Sequence, residues 1–156
     1  MKFSSKEDVE APIAQVFDLI SEFDVYERKA IRRGIEVQRT DTRPAPGVGS
    51  SWHAKFDLRG KRREIDVVVS AFDRPDSIHF ASDTQGLQGV VTFELMPLSP
   101  NRTRMAIEVD LKPKTLSARL LVQSIKLAKK SLVKKFKLRV AEFAKTLEER
   151  AAQRGG

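Results

Sequence analysis

Apolar and polar residues alternate in three blocks of different period. Phe3, Ser5, Glu7 and Val9 alternate with Lys2, Ser4, Lys6 and Asp8, which predicts a short and rather polar strand over Phe3 to Glu10. Ile13, Val16, Phe17, Ile20 and Phe23 then recur at helical spacing behind Pro12, a residue tolerated in a first helical turn. A second short helix is predicted over Val25 to Arg32, stopping at Gly34, where a C-terminal cap is expected.

The period next falls to two. Ile35 and Val37 open a strand that runs into the Pro/Gly-rich loop Arg43 to Gly49. Trp52, Ala54, Phe56 and Leu58 share one face, opposite His53, Lys55, Asp57 and Arg59. After a turn at Gly60, Ile65, Val67, Val69 and Ala71 share a face. Ile78, Phe80 and Ser82 follow the turn Arg74-Pro75-Asp76, and Leu87, Val91, Phe93 and Leu95 follow Gln85-Gly86. Met105, Ile107, Val109 and Leu111 complete the series after the loop from Pro97 to Arg102. Short links between alternating strands predict an antiparallel meander with one covered and one wet face.

Pro113 ends the sheet. Thr115 is a predicted N-cap, and no Gly or Pro interrupts the stretch to about Arg150, so one long helix is expected there. Ala118, Leu121, Val122, Ile125, Ala128, Leu132, Val133, Phe136, Val140, Phe143 and Leu147 fall on its broad apolar face. Leu116, Leu120, Leu127 and Leu138 form a thinner line pointing away from it. They either cover neighbouring elements or form a membrane or self-association face.

Charge sharpens this picture. The chain has 29 basic and 21 acidic side chains among 156 residues. From Leu111 to Ala141 there are ten basic residues and no acidic one; the remainder, 19 basic against 21 acidic, is slightly negative. The whole excess of +8 therefore sits on this one stretch, most of which belongs to the predicted long helix. The length predicts one domain, residues 1–152, with 153–156 as a flexible tail. There is no cysteine, which excludes disulfides, thiolate catalysis and sulfur-ligated metal. No secretory signal and no membrane-length apolar run is visible, so a cytoplasmic location is expected.

The order strand, two short helices, six antiparallel strands and long helix resembles the helix-grip fold of the START / birch-pollen-allergen (SRPBCC) superfamily, which includes the polyketide cyclase/dehydrase and lipid-transport group. Asp8-Val9-Glu10-Ala11-Pro12-Ile13-Ala14-Gln15-Val16-Phe17-Asp18-Leu19-Ile20 resembles its strand-Ala-Pro-helix opening. Pro46 to Trp52 resembles the loop entering its third strand. The resemblance implies an α+β domain in which a curved seven-stranded antiparallel sheet wraps a long C-terminal helix, with two short helices after the first strand. It also implies a hydrophobic cavity between sheet and helix. Mapped onto this chain, the lining candidates are Trp52, Phe56, Val67, Val69, Phe80, Phe93, Met105, Ile107, Leu121, Ile125 and Leu132. Periodicity alone fits a filled core equally well, since a lining and a core face share one pattern.

Candidate chemistry is sparse. His53 and His79 oppose their apolar neighbours and so face outward; with no paired histidines or carboxylate-histidine cluster, no metal site and no cofactor are expected. Gly47-x-Gly49 precedes a strand and is too short for a phosphate-binding loop. Glu7, Arg39, Asp41, Ser82 and Thr103 fall on inward parities, where an enzyme of this fold would keep its polar groups; Glu7 and Arg39 could equally pair at the sheet's rim. No residue is assigned a catalytic role. The lysine-rich helix lacks interleaved aromatics on its charged face, which disfavours nucleic acid, whereas lysines suit an anionic membrane surface. The expected partner is a hydrophobic small molecule such as a lipid, quinone or polyketide, with peripheral contact to anionic membrane, in a monomer or weak dimer. The alternatives are a cyclase/dehydrase-type enzyme and a protein-interaction module using the basic helix.

Overall fold

A computed structural model describes residues 1–58 and 60–154. Arg59, predicted to face outward, and Gly155 and Gly156, assigned to the flexible tail, lie outside the described residues. The elements in chain order are β1 (Lys2–Val9), α1 (Ile13–Ile20), α2 (Phe23–Arg32), β2 (Glu36–Arg39), β3 (Ser51–Leu58), β4 (Lys61–Asp73), β5 (Ser77–Thr84), β6 (Leu87–Ser99), β7 (Arg102–Pro113), α3 (Leu116–Leu127) and α4 (Lys129–Gln153).

The strands form one seven-stranded antiparallel sheet in the order β1-β7-β6-β5-β4-β3-β2. Consecutive strands pair antiparallel from β2 to β7, through short turns from β3 onward as expected. The first strand lies beside the last, with Val9 opposite Thr103 and Phe3 opposite Val109. The buried Thr103 hydroxyl donates to the Ala11 carbonyl at 2.8 Å, which fixes the turn from β1 into α1.

In β4 the predicted alternation is interrupted. Val69 faces Phe80, but the next ladder pair is Ala71 with His79, leaving Ser70 as an extra residue. This bulge reverses the parity, so Phe72 points inward where the uninterrupted pattern puts Ala71. Phe72 packs edge-on against Phe17 of α1, ring centres 5.0 Å apart.

The stop of α2 is a Schellman motif. Gly34 adopts φ +87°, its N–H donates to the Ile31 carbonyl and the Ile35 N–H to the Ala30 carbonyl. At α3, the Thr115 side chain accepts from the Ala118 N–H at 3.1 Å, the expected N-cap.

The predicted single C-terminal helix is two helices. Ala128 leaves helical geometry (φ −106°, ψ 21°) and serves as the end of α3 and the start of α4. The reason is tertiary, since no Gly or Pro stands there. The two helices bury against separate apolar clusters: Ala118 and Val122 of α3 against Leu87, Leu111 and Met1, and Val140, Ala144, Leu147 and Ala151 of α4 against the main core. The break at Ala128 falls between these two burial sites.

That main core is filled by α1 and the C-terminal half of α4. Phe17, Val16, Val9, Val69, Met105 and Leu147 are fully buried in it, each such side chain contributing about 1.5–3 kcal/mol. The end of α4 is tied down by polar contacts. Arg150 and Arg154 pair with Glu22, Arg150 Nη1 donates to Tyr26 Oη at 3.0 Å, and Gln15 Nε2 donates to the Ala151 carbonyl. Helical order thus runs through Gln153, and Arg154 is anchored. No helix among the described residues is long and apolar enough to cross a membrane.

Candidate functional site: an apolar pocket between sheet, α2 and α4

The core does not fill the whole concave face of the sheet. Beyond α1, a pocket of about 490 Å³ remains between the sheet, α2 and the middle of α4, well above the size of a dry packing void and within the range of small-molecule sites. The sheet contributes Val37, Trp52, Phe80, Val91, Phe93, Ile107 and Val109. Ile20 at the end of α1 and Phe23, Tyr26, Glu27 and Ala30 of α2 line one side, and Phe136, Arg139, Val140 and Phe143 of α4 the other.

Aromatic rings frame it. Trp52 meets Phe23 edge-on at 5.2 Å, Phe23 meets Phe80 at 5.9 Å, Phe80 meets Phe93 at 5.8 Å, Phe93 meets Phe143 at 6.3 Å and Phe143 meets Tyr26 at 5.8 Å. Edge-to-face contacts of this kind add about 0.5–1.5 kcal/mol each beyond area burial and hold the rings in place. The wall is therefore preformed rather than a collapsed gap.

Three side chains bring polarity. Tyr26 donates its hydroxyl to the Leu19 carbonyl at 2.8 Å and accepts from Arg150; burial raises its pKa above the ordinary tyrosine value. Glu27 Oε1 accepts from Trp52 Nε1 at 2.5 Å and from Arg39 Nε at 2.7 Å, and the Arg39 guanidinium lies 5.0 Å from the Trp52 ring centre. Arg139 reaches the pocket from α4.

Of the sequence-derived lining candidates, Trp52, Phe80, Phe93 and Ile107 meet around the pocket. Val69 and Met105 lie instead in the filled core. Val67 packs against that core from its edge, and Phe56, opposite Arg63, is half-buried toward the far end of β3. Leu121 joins the separate cluster around Leu87, and Ile125 and Leu132 are half-buried near the α3–α4 junction. The helical wall comes from the middle of α4 and from α2, not from the first half of the C-terminal helical segment.

The inward polar candidates do not converge. Glu7, opposite Met105, is half-buried outside the pocket wall. The Ser82 hydroxyl donates to the Gly89 carbonyl. Asp41 accepts from the Ser51 and Arg43 N–H groups, and the Ser51 bond foremost holds its carboxyl below the usual range. Arg39 alone reaches the pocket's edge, through Glu27. The sequence pattern missed Glu27: α2 is polar on most sides, and nothing in Tyr26-Glu27-Arg28 marks the middle residue as inward. His53 faces outward as expected, between Asp66 (2.7 Å) and Glu64 (3.0 Å), whose hydrogen bonds raise its pKa.

No protein-family model matches the chain, and no curated protein sequence does. Solved structures do match in fold. A protein of Thermus thermophilus superimposes with a TM-score of 0.65 at 16% identity, covering 100% of both chains. The Zhui aromatase/cyclase of Streptomyces sp. R1128 gives 0.65 at 12% identity, over 100% of this chain and 96% of that one. A START superfamily protein of Mycobacterium smegmatis gives 0.56 at 14% identity, over 86% and 95%. The chain thus has the START/SRPBCC-like helix-grip fold, as the sequence resemblance implies.

Proposed function

We propose that this protein binds a hydrophobic small molecule in the pocket between the sheet, α2 and α4. The observation that carries this reading is the preformed apolar space of about 490 Å³, framed by Trp52, Phe23, Phe80, Phe93, Phe143 and Tyr26. An apolar concavity of this size, with few polar groups in its wall, has the character of a small-molecule site. START-like and aromatase/cyclase structures with the same fold support the reading. Binding is favoured over conversion because Glu27 and Tyr26 are already engaged in hydrogen bonds, while Glu7, Asp41 and Ser82 are held elsewhere. The test is native mass spectrometry of freshly purified protein, with titration of the neutral dye N-phenyl-1-naphthylamine. Co-purified lipid-like mass or saturable one-site dye binding is expected; absence of both refutes the pocket as a binding site.

A second surface supports transient contact with anionic membrane, on which such a carrier would load or release. At the α3–α4 junction Leu127 is 92% exposed, the most exposed large apolar side chain among the described residues. Lys126, Lys129, Lys130, Lys134 and Lys137 line the same shallow groove, and among the described residues none forms an ion pair. Lysines near a charged bilayer contribute about 1 kcal/mol each, and an inserted leucine adds apolar burial. Flotation with phosphatidylserine-containing vesicles at low salt is the check: the wild type should float, and Leu127→Glu should not. Equal behaviour with pure phosphatidylcholine vesicles would count against an anionic surface.

A further inference from the structure

The pocket's charges are unequal. Glu27 and Arg139 are the charged side chains of its wall. The Glu27 carboxylate is neutralised in place by Arg39 and hydrogen-bonded by Trp52. Arg139 has neither an ion pair nor a hydrogen bond among the described residues. It is also the one exposed member of the wall, so it marks where the pocket meets solvent. On α4 it stands between Phe136 and Phe143, at the spacings that put all three on one face, and the unpaired Lys135 lies one turn before it.

We infer that the pocket selects an amphiphile with an apolar body and an anionic end, and that Arg139 is the residue that recognises the anion. The inference rests on the binding reading above. The apolar body lies against Phe80, Phe93 and Trp52, while a carboxylate at the opening meets the guanidinium fork, which presents two parallel N–H donors to it. A cationic end would face Arg139, Lys135 and Arg39, with Glu27 already occupied; a neutral end would leave Arg139 as it stands. Because the site is open to solvent, the expected selectivity is modest, about three- to tenfold.

The experiment uses the full chain with N-phenyl-1-naphthylamine bound, and measures its displacement by dodecanoate, dodecanol and dodecyltrimethylammonium at pH 8 and low salt. Dodecanoate should displace the dye about three- to tenfold more effectively than dodecanol, and the ammonium least. In Arg139→Gln the ratio of dodecanoate to dodecanol displacement should fall to about one; Arg139→Lys should restore part of the preference. Arg139 is exposed and unpaired, so neither substitution threatens folding. Equal displacement by dodecanoate and dodecanol in the wild type, or a preference that survives in Arg139→Gln, overturns the inference and leaves the binding reading intact. Failure of the dye to bind, with no co-purified lipid-like mass in the native spectrum, refutes that reading, and the inference with it.

Discussion

The indole of Trp52 on β3 donates its N–H to Glu27 Oε1 on α2, 2.5 Å away and 25 residues apart in sequence. The same oxygen takes Arg39 Nε from β2, so one carboxylate clamps helix, edge strand and its neighbour together at the pocket wall. Glu27→Leu leaves the indole N–H without its acceptor and the guanidinium with Asp41 alone, 3.6 Å away. The expected loss is about 1–3 kcal/mol of stability. Glu27→Gln keeps an oxygen acceptor and should lose less than half as much. Trp52 is the only tryptophan, so its emission reports the change directly alongside urea midpoints.

Filling the pocket should separate binding from folding. Ala30 of α2 lies on the wall with open space before it. Ala30→Phe is expected to abolish saturable dye binding while leaving the melting temperature unchanged or raised, because the new ring occupies apolar space without displacing core atoms. A destabilised variant that still binds would show that the space is not where the ligand sits.

The two halves of the C-terminal helical segment should respond unequally to side-chain truncation. Leu147 is fully buried in the main core, and Leu147→Ala should cost about 2–5 kcal/mol. Leu127→Ala, at the exposed junction, should fall within about 0.5 kcal/mol of the wild type. Thermal denaturation of both variants checks the contrast.

Acid should weaken the anchoring of the end of α4. Arg154, hydrogen-bonded to Glu22, foremost holds the Glu22 carboxyl below its ordinary value near 4.5, with Arg150 adding to the effect. A carboxyl whose folded pKa is depressed contributes stability above the unfolded pKa and loses it as pH falls through the folded one. Glu22→Gln should therefore be less stable than the wild type at about pH 7, and the difference should shrink below about pH 4.5. Urea unfolding across that range is the measurement; a gap that stays constant to about pH 3 would remove the ion pair as its cause.

The turn between β5 and β6 packs on the cap of α3. A Cβ at Gly86, which has φ +88°, would stand 2.4 Å from Thr115 Cγ2. Gly86→Ala is expected to cost about 1–3 kcal/mol, from backbone strain and from displacing the N-cap. In Thr115→Ala the added cost of Gly86→Ala should be smaller, which a double-mutant cycle by chemical denaturation reads out.

The strands, the two short helices, the stop at Gly34 and the cap at Thr115 were legible in the sequence alone, because period, glycine freedom and side-chain capping act over a few residues. Strand parity also placed Trp52, Phe80, Phe93 and Ile107 on the inner face, since alternation leaves only two choices. Everything that depends on which face meets which was settled only by the folded chain. The extra residue Ser70, which brings Phe72 inward, is set by fit against Phe17. The break at Ala128 arises because α3 and α4 bury against different clusters, with no local residue demanding it. The same packing puts Val69 and Met105 in the filled core while Phe136, Arg139 and Phe143 border open space. It also turns Glu27, one acid among many on a polar helix, toward Trp52, because only the folded chain brings an indole N–H and a guanidinium within reach of that carboxylate.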